Sequence, residues 1–171
     1  MPRRSRIMLL VAGGLASAFV VAGGYVWGAR EEDGFDRRDE IARRGAAVMP
    51  FDLERTTHVF TKRSDGGIQL VVADDSDDSE QIALARQHLR DEAEKFRRGQ
   101  LDDPARIHGT EMPGLAELEA GARRIEIDYE DVPAGGRISY KTDEPMLVAA
   151  LHDWYDAQVS DHGTHAAAGT S

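Results

Sequence analysis

TTHVFTKRSDGGIQLVVADDSDDSEQIALARQHLRDEAEKFRRG, residues 56–99, carries a complete folding unit in its spacing. Thr56 to Thr61 and Ile68 to Ala73 are rich in β-branched and aromatic side chains. Between them Arg63-Ser64-Asp65-Gly66-Gly67 supplies the positive-φ residues that a hairpin loop needs. Ile68, Leu70 and Val72 alternate toward one face, the one such a hairpin is expected to bury. Asp77-Asp78-Ser79-Glu80-Gln81 then offers acids and a capping-box pattern for a helix start. Ile82, Ala85, Leu89, Ala93 and Phe96 recur every three or four residues, so a helix runs to about Arg98 and Gly99 closes it. Lys95, Arg97 and Arg98 in its last turn suit the negative end of the helix dipole.

The pattern returns downstream. Leu101 to Gly114 reads as a loop and Leu115 to Ala122 as a short helix. Ile125, Ile127 and Tyr129 alternate against Glu126, Asp128 and Glu130, a strand with one wet face. Pro133-Ala134-Gly135-Gly136 turns it back into Arg137 to Thr142, and Pro145 stands where a first helical turn tolerates proline. Leu147, Val148, Leu151, Trp154, Tyr155 and Val159 form the apolar face of a second helix that ends before Gly163. Aligned on Gly67 and Gly136, the two units superpose IALARQHLRDEA on MLVAALHDWYDA and set His88 opposite His152. The expectation is an α+β domain over residues 49–163. It is a two-layer sandwich of ββα–ββα form, a four-stranded antiparallel sheet with its two main helices on one face.

The flanks speak of location. Arg3, Arg4 and Arg6 precede Ile7 to Trp27, a run of 21 residues without a charge that spans about 31 Å as a helix. Residues 1–30 therefore read as a membrane anchor or a secretory signal. The arginines stay cytoplasmic, and the domain sits in the cell envelope, on the extracytoplasmic (periplasmic) face of the inner membrane, or is secreted if the leader is cleaved. Residues 31–48 read as a charged tether and residues 164–171 as a disordered tail. The first 30 residues hold four of the 21 Lys and Arg and no acid, leaving 17 bases against 31 acids, a net −14 on the exported part. Such a surface repels nucleic acid. There is no cysteine, which removes thiolate metal sites, cysteine nucleophiles and c-type haem attachment together.

Histidine and methionine are left as soft ligands. His108-Gly109-Thr110-Glu111-Met112 places an imidazole and a thioether four residues apart, the pair that copper accepts where cysteine is absent. His88 and His152 lie beside the apolar stripes of their helices, and two helices on one sheet can bring them together. A transition-metal site of His88, His108, Met112 and His152, with His58 or His162 as additions and copper as the favoured ion, is one reading. The other makes these residues structural: Met112 packs on the core, and each helical histidine bonds to a neighbour one turn on. His162-Gly163-Thr164-His165 reads as a frayed end. No serine lies in a G-x-S-x-G turn, and H-E-x-x-H, P-loop and dinucleotide motifs are absent. Asp74-Asp75 with Asp77-Asp78 lacks the glycine and terminal glutamate of an EF-hand loop.

Through MPFDLERTTHVF, GGIQLVVADD, QIALARQHLRDEAEKFRRG, DPARIHGTEMPGL and LHDWYDAQVSDHG, between Met49 and Gly163, the chain resembles a family of small exported bacterial proteins of uncharacterised function. Some of these carry the label aspartate carbamoyltransferase. The resemblance implies an exported domain and, through that label, a transferase activity. That enzyme's Ser-Thr-Arg-Thr-Arg motif does not occur here. His58, His88, His108, Met112, His152 and His162 all fall within the resembling span, and His165 falls outside it. The expected function is thus an envelope protein that binds a transition metal, against a scaffold or protein-interaction module with structural histidines, against an enzyme.

Overall fold

A computed structural model describes residues 37–170, and the leader with its membrane reading lies outside them. The domain is α+β, as its pattern implies, with helix α1 over residues 37–48. Strands β1 (Thr56–Arg63) and β2 (Gly66–Ala73) lead into α2 (Ser79–Arg97), α3 (Asp102–His108) and α4 (Leu115–Gly121). Strands β3 (Glu126–Val132) and β4 (Gly135–Lys141), helix α5 (Pro145–His162) and strand β5 (Ala166–Ala168) complete it.

The sheet departs from expectation. It has five strands in the order β3-β4-β2-β1-β5, and it is mixed rather than antiparallel. Both hairpins form in register, Arg63 opposite Gly66 and Val132 opposite Gly135, and they meet through antiparallel β2 and β4. The added strand is the segment read as a disordered tail. Gly163 takes φ +58, the chain leaves α5 and turns back, and Ala166–Ala168 lie parallel to His58–Phe60. Three alanines carry no strand signal of their own. The free edge of β1 supplies the donors and acceptors, and Gly169 N continues the ladder to Phe60 O at 2.8 Å.

Both hairpins turn one face to the helices, and in the first it is not the expected face. Gly67, Gln69, Val71 and Ala73 of β2 are buried, while Ile68, Leu70 and Val72 point away and are half-buried. The alternation was legible, but its direction is set by contacts from afar. A side chain at Gly67 would strike the Tyr155 ring at 2.4 Å, and one at Gly136 would meet Leu89 at 3.1 Å. Helices α5 and α2 therefore rest on these glycines, on one side of the sheet. Trp154, Tyr155, Leu89, Leu151, Val71 and Ile138 are at the centre of a single core.

Two further segments are more ordered than their composition implies. Residues 31–48 were expected to be a tether, yet α1 packs Ile41 into the core at 2% exposure, with Met49 and Leu53 behind it. Val48 packs beside it, and Gly45 leaves the room: a Cβ there would meet the Met49 and Leu53 side chains at 2.8 and 3.3 Å. The supposed loop 101–114 contains α3, whose Asp102, Asp103 and Pro104 open it as acids and proline open helices. The other helix starts conform: Asp78 caps α2 by accepting from Gln81 N at 3.2 Å, and Pro145 begins α5.

Candidate functional site: a histidine-lined cavity

A small cavity opens between β1, β2, α2, α3 and the end of α5. Its volume is about 30 Å³, room for one or two water molecules. Four imidazoles line it: His58 from β1, His88 from α2, His108 from α3 and His162 from α5. Between them come the amide groups of Gln69 and Gln158 and the carboxyls of Glu92 and Asp103. The remaining wall is apolar, from Met49, Phe60, Pro104 and Ile107.

The local folding logic is simple. His58 alternates with Phe60 on the inward face of β1, so both are buried. His88 and Glu92 stand one turn apart on α2, with His88 Nε2 3.9 Å from Glu92 Oε2. The last turn of α3 delivers His108, and the last turn of α5 delivers Gln158, Asp161 and His162. The rings crowd together. His58 lies 5.2 Å from His162 between centroids with planes 6° apart, and His108 lies 4.9 Å from His162 edge-on. Phe51 packs on both His58 and His88, at 5.7 and 5.4 Å.

Hydrogen bonds fix most of these groups. His108 Nδ1 donates to Asp161 Oδ2 at 2.8 Å, and the same carboxylate receives both Arg37 Nε and a terminal guanidinium nitrogen at 2.9 Å. In the neutral ring this leaves the lone pair of His108 on Nε2. His162 Nε2 meets Gln158 Oε1 at 3.1 Å and therefore carries a proton, since an amide oxygen only accepts. Tyr140 donates to Gln69 Oε1 at 2.7 Å, and Gln69 Nε2 donates to Glu92 Oε2 at 3.1 Å. His58 Nδ1 is the exception, buried with no hydrogen-bond partner.

Burial governs the charge states. It lowers His58 to about 4, with repulsion from His88 adding to it, and His162 to about 2, with His58 and His108 adding. Burial also lowers His88. It raises Glu92 to about 8, against the opposing hydrogen bond from Gln69. Asp161 is pushed up by burial, but the hydrogen bonds from His108 and Arg37 outweigh this and hold it below the ordinary carboxylate range. At neutral pH the cavity thus presents uncharged His58, His88 and His162 and a protonated Glu92.

The structure sorts the sequence candidates. His58, His88, His108 and His162 come together, whereas His152 and Met112 do not join them. His152 Nε2 faces the carbonyls of Arg63 and Gly66, both at 3.0 Å, and so ties down the β1–β2 turn as a donor. Met112 is 5% exposed in the hydrophobic core, apart from the cavity lining. The H-x3-M spacing fails because α3 ends at His108 and the Gly109 turn carries Met112 elsewhere. His165 pairs with Glu54 at 3.2 Å instead of fraying. Glu92 is the neighbour one turn on from His88 that the structural reading expects, although 3.9 Å is too long for a hydrogen bond. Gln69, Gln158, Asp161 and Arg37 escape the sequence reading, although three of them stand as polar residues on apolar repeats: Gln69 between Gly67 and Val71, and Gln158 and Asp161 prolonging the Leu151–Trp154 stripe.

Among the described residues, no group of three or more His, Asp or Glu side chains is arranged so that it could hold a metal ion. Nor, among them, is any helix long and apolar enough to cross a membrane. The chain matches no known family model, no curated protein and no solved structure.

Proposed function

We propose that this protein binds a divalent transition-metal ion in the histidine-lined cavity, on a domain tethered at the outer face of the cytoplasmic membrane. One observation carries the reading: four imidazoles from four separate elements line one small cavity. Neutral imidazoles are the form that donates to metals, and burial favours that form here. The unpartnered His58 Nδ1 gives the donor set a free lone pair or an unused N–H that an ion would engage through tautomer exchange. His58, His88, His108 and His162 are the ligand set, with Glu92 as a carboxylate that ionises when a cation arrives. Nitrogen and oxygen donors without sulfur suit Cu(II), the divalent ion of highest affinity, and also Zn(II), which imidazole accepts. Met112, buried in the core outside the lining, offers no thioether to the cavity. A cavity of about 30 Å³ does not admit an organic substrate, for which pockets of roughly 300 Å³ or more are usual.

The test is titration of the full chain in detergent micelles with Cu(II) and Zn(II), followed by calorimetry and Cu(II) EPR. Binding with several nitrogen ligands, weakened at least tenfold in a His88→Ala, His162→Ala double variant, is the expected result. Binding that is equal in the two proteins sinks the proposal. A second reading, a scaffold with structural histidines, draws on the partners already held by His108 and His162. It predicts that neither metal shifts the melting temperature.

A further inference from the structure

Helix α1 reaches the cavity through one carboxylate. Arg37, in the first described turn of α1, grips Asp161 with two nitrogens at 2.9 Å. Asp161 in turn accepts from His108 Nδ1 at 2.8 Å. This carboxylate is 9% exposed and the His108 side chain 1%, so the pair is shielded, while the outer part of Arg37 is open to solvent. Among the described residues the next one, Arg38, bonds to the main chain at Ser160 O, at 3.3 Å. Beyond α1 the same segment supplies Met49 to the cavity wall and Phe51 to the faces of His58 and His88.

From this we infer that Arg37 is a positioning residue for His108, acting through Asp161, so that metal occupancy and the seating of helix α1 are coupled. The inference rests on the metal reading above. Without the guanidinium, Asp161 is free to turn toward solvent or to keep a proton. His108 then loses the acceptor that fixes its ring and its lone-pair nitrogen. Carboxylates and arginines that orient a ligating histidine typically matter by 10–100-fold in metal affinity. Coupling is reciprocal, so an ion that needs a fixed His108 must also hold α1 down. Helix α1 is the element that joins the domain to the 36 residues before it. Occupancy of the cavity would therefore be reported at the point where the domain meets its leader.

The experiment uses the full chain in micelles with Cu(II) as the probe. It compares wild type with Arg37→Ala, Arg37→Lys and Arg38→Ala. Arg37→Ala is expected to weaken Cu(II) binding about tenfold or more and to change the nitrogen hyperfine pattern, as one imidazole becomes loosely held. Arg37→Lys, a single-point cation, is expected to recover part of the affinity, and Arg38→Ala to leave it unchanged. In wild type, Cu(II) is expected to slow amide exchange across residues 37–48, and in Arg37→Ala to slow it much less. Wild-type affinity and EPR pattern in Arg37→Ala, with α1 exchange indifferent to Cu(II), overturn the coupling while leaving the metal site standing. Absence of Cu(II) binding in wild type overturns both.

Discussion

The two hairpin–helix units have nearly the same backbone and opposite interiors. In the second, the inward residues of β3 and β4 are Ile127, Tyr129, Ile138 and Tyr140, and all but the half-buried Tyr129 are sealed from water. In the first, the inward places hold Thr56, His58, Phe60, Gln69 and Val71, with Glu92 above them on α2. Burying polar groups lowers stability unless each is satisfied, so a core that needs only to fold has no reason to prefer the first arrangement. The equivalent helical histidines differ in the same way. His88 joins the cavity, whereas His152 serves as a brace on a turn. The second hairpin has an apolar interior, and the buried polar groups gather on the first, with α3 and the end of α5.

The largest test of that contrast is in the pH dependence of folding without metal. Glu92 has a folded-state value raised to about 8 from 4.5, so its contribution is fully present below pH 4.5 and lost as pH rises through 8. His58 and His162 are depressed below 6.5, so theirs is present above 6.5 and lost as pH falls. Near pH 6.5 the histidines of the unfolded chain are still half protonated, so their contribution goes on rising to about pH 7.5 while that of Glu92 falls. Urea unfolding of the chelator-treated protein should show wild type losing about 1 kcal/mol relative to Glu92→Gln between pH 7 and 8. An equal loss in the variant removes Glu92 as the source.

A smaller effect has the opposite sign. Replacing His58 by Leu removes a buried nitrogen without a partner but also the ring's bond to the His165 main chain, so the metal-free protein is expected to gain at most about 1 kcal/mol while metal binding falls. A loss of stability instead would make His58 an ordinary structural residue and erase the contrast between the units. The smallest effect belongs to His152→Ala. Two carbonyls of the first turn lose their donor, costing about 0.5–1 kcal/mol, with metal affinity unchanged. A drop in affinity there would show that the brace on the first turn also supports the cavity.

Much of this molecule is legible from local pattern alone. The hairpins, α2, α4 and α5 each announce themselves within about twenty residues, because their periodicity and caps are local. What is not legible depends on distant surfaces. Strand β5 is three alanines that become a strand only because β1 has a free edge. The inward face of β2 is decided by the Tyr155 ring at Gly67, 88 positions away. The cavity shows the same limit. Six residues were singled out as candidate ligands, and four of them meet, but the meeting depends on α3. Helix α3 was passed over as a loop although Asp102, Asp103 and Pro104 carried a helix-start signal. Met112 misled because spacing along the sequence says nothing of where the chain turns after Gly109.

Strand β5 also bears on how the chain stays out of trouble while folding. It covers β1 along His58–Phe60, and this pairing closes a loop of roughly a hundred residues, among the slowest contacts for a chain to make. Until it closes, β1 offers a bare row of donors and acceptors bordered by Thr57, Val59 and Thr61, a template for another chain's strand. The opposite edge, β3, is guarded throughout by Glu126, Asp128 and Glu130, all exposed. Aggregation during refolding should therefore start at β1, and three alanines should decide whether the protein remains monomeric on the way to its native state.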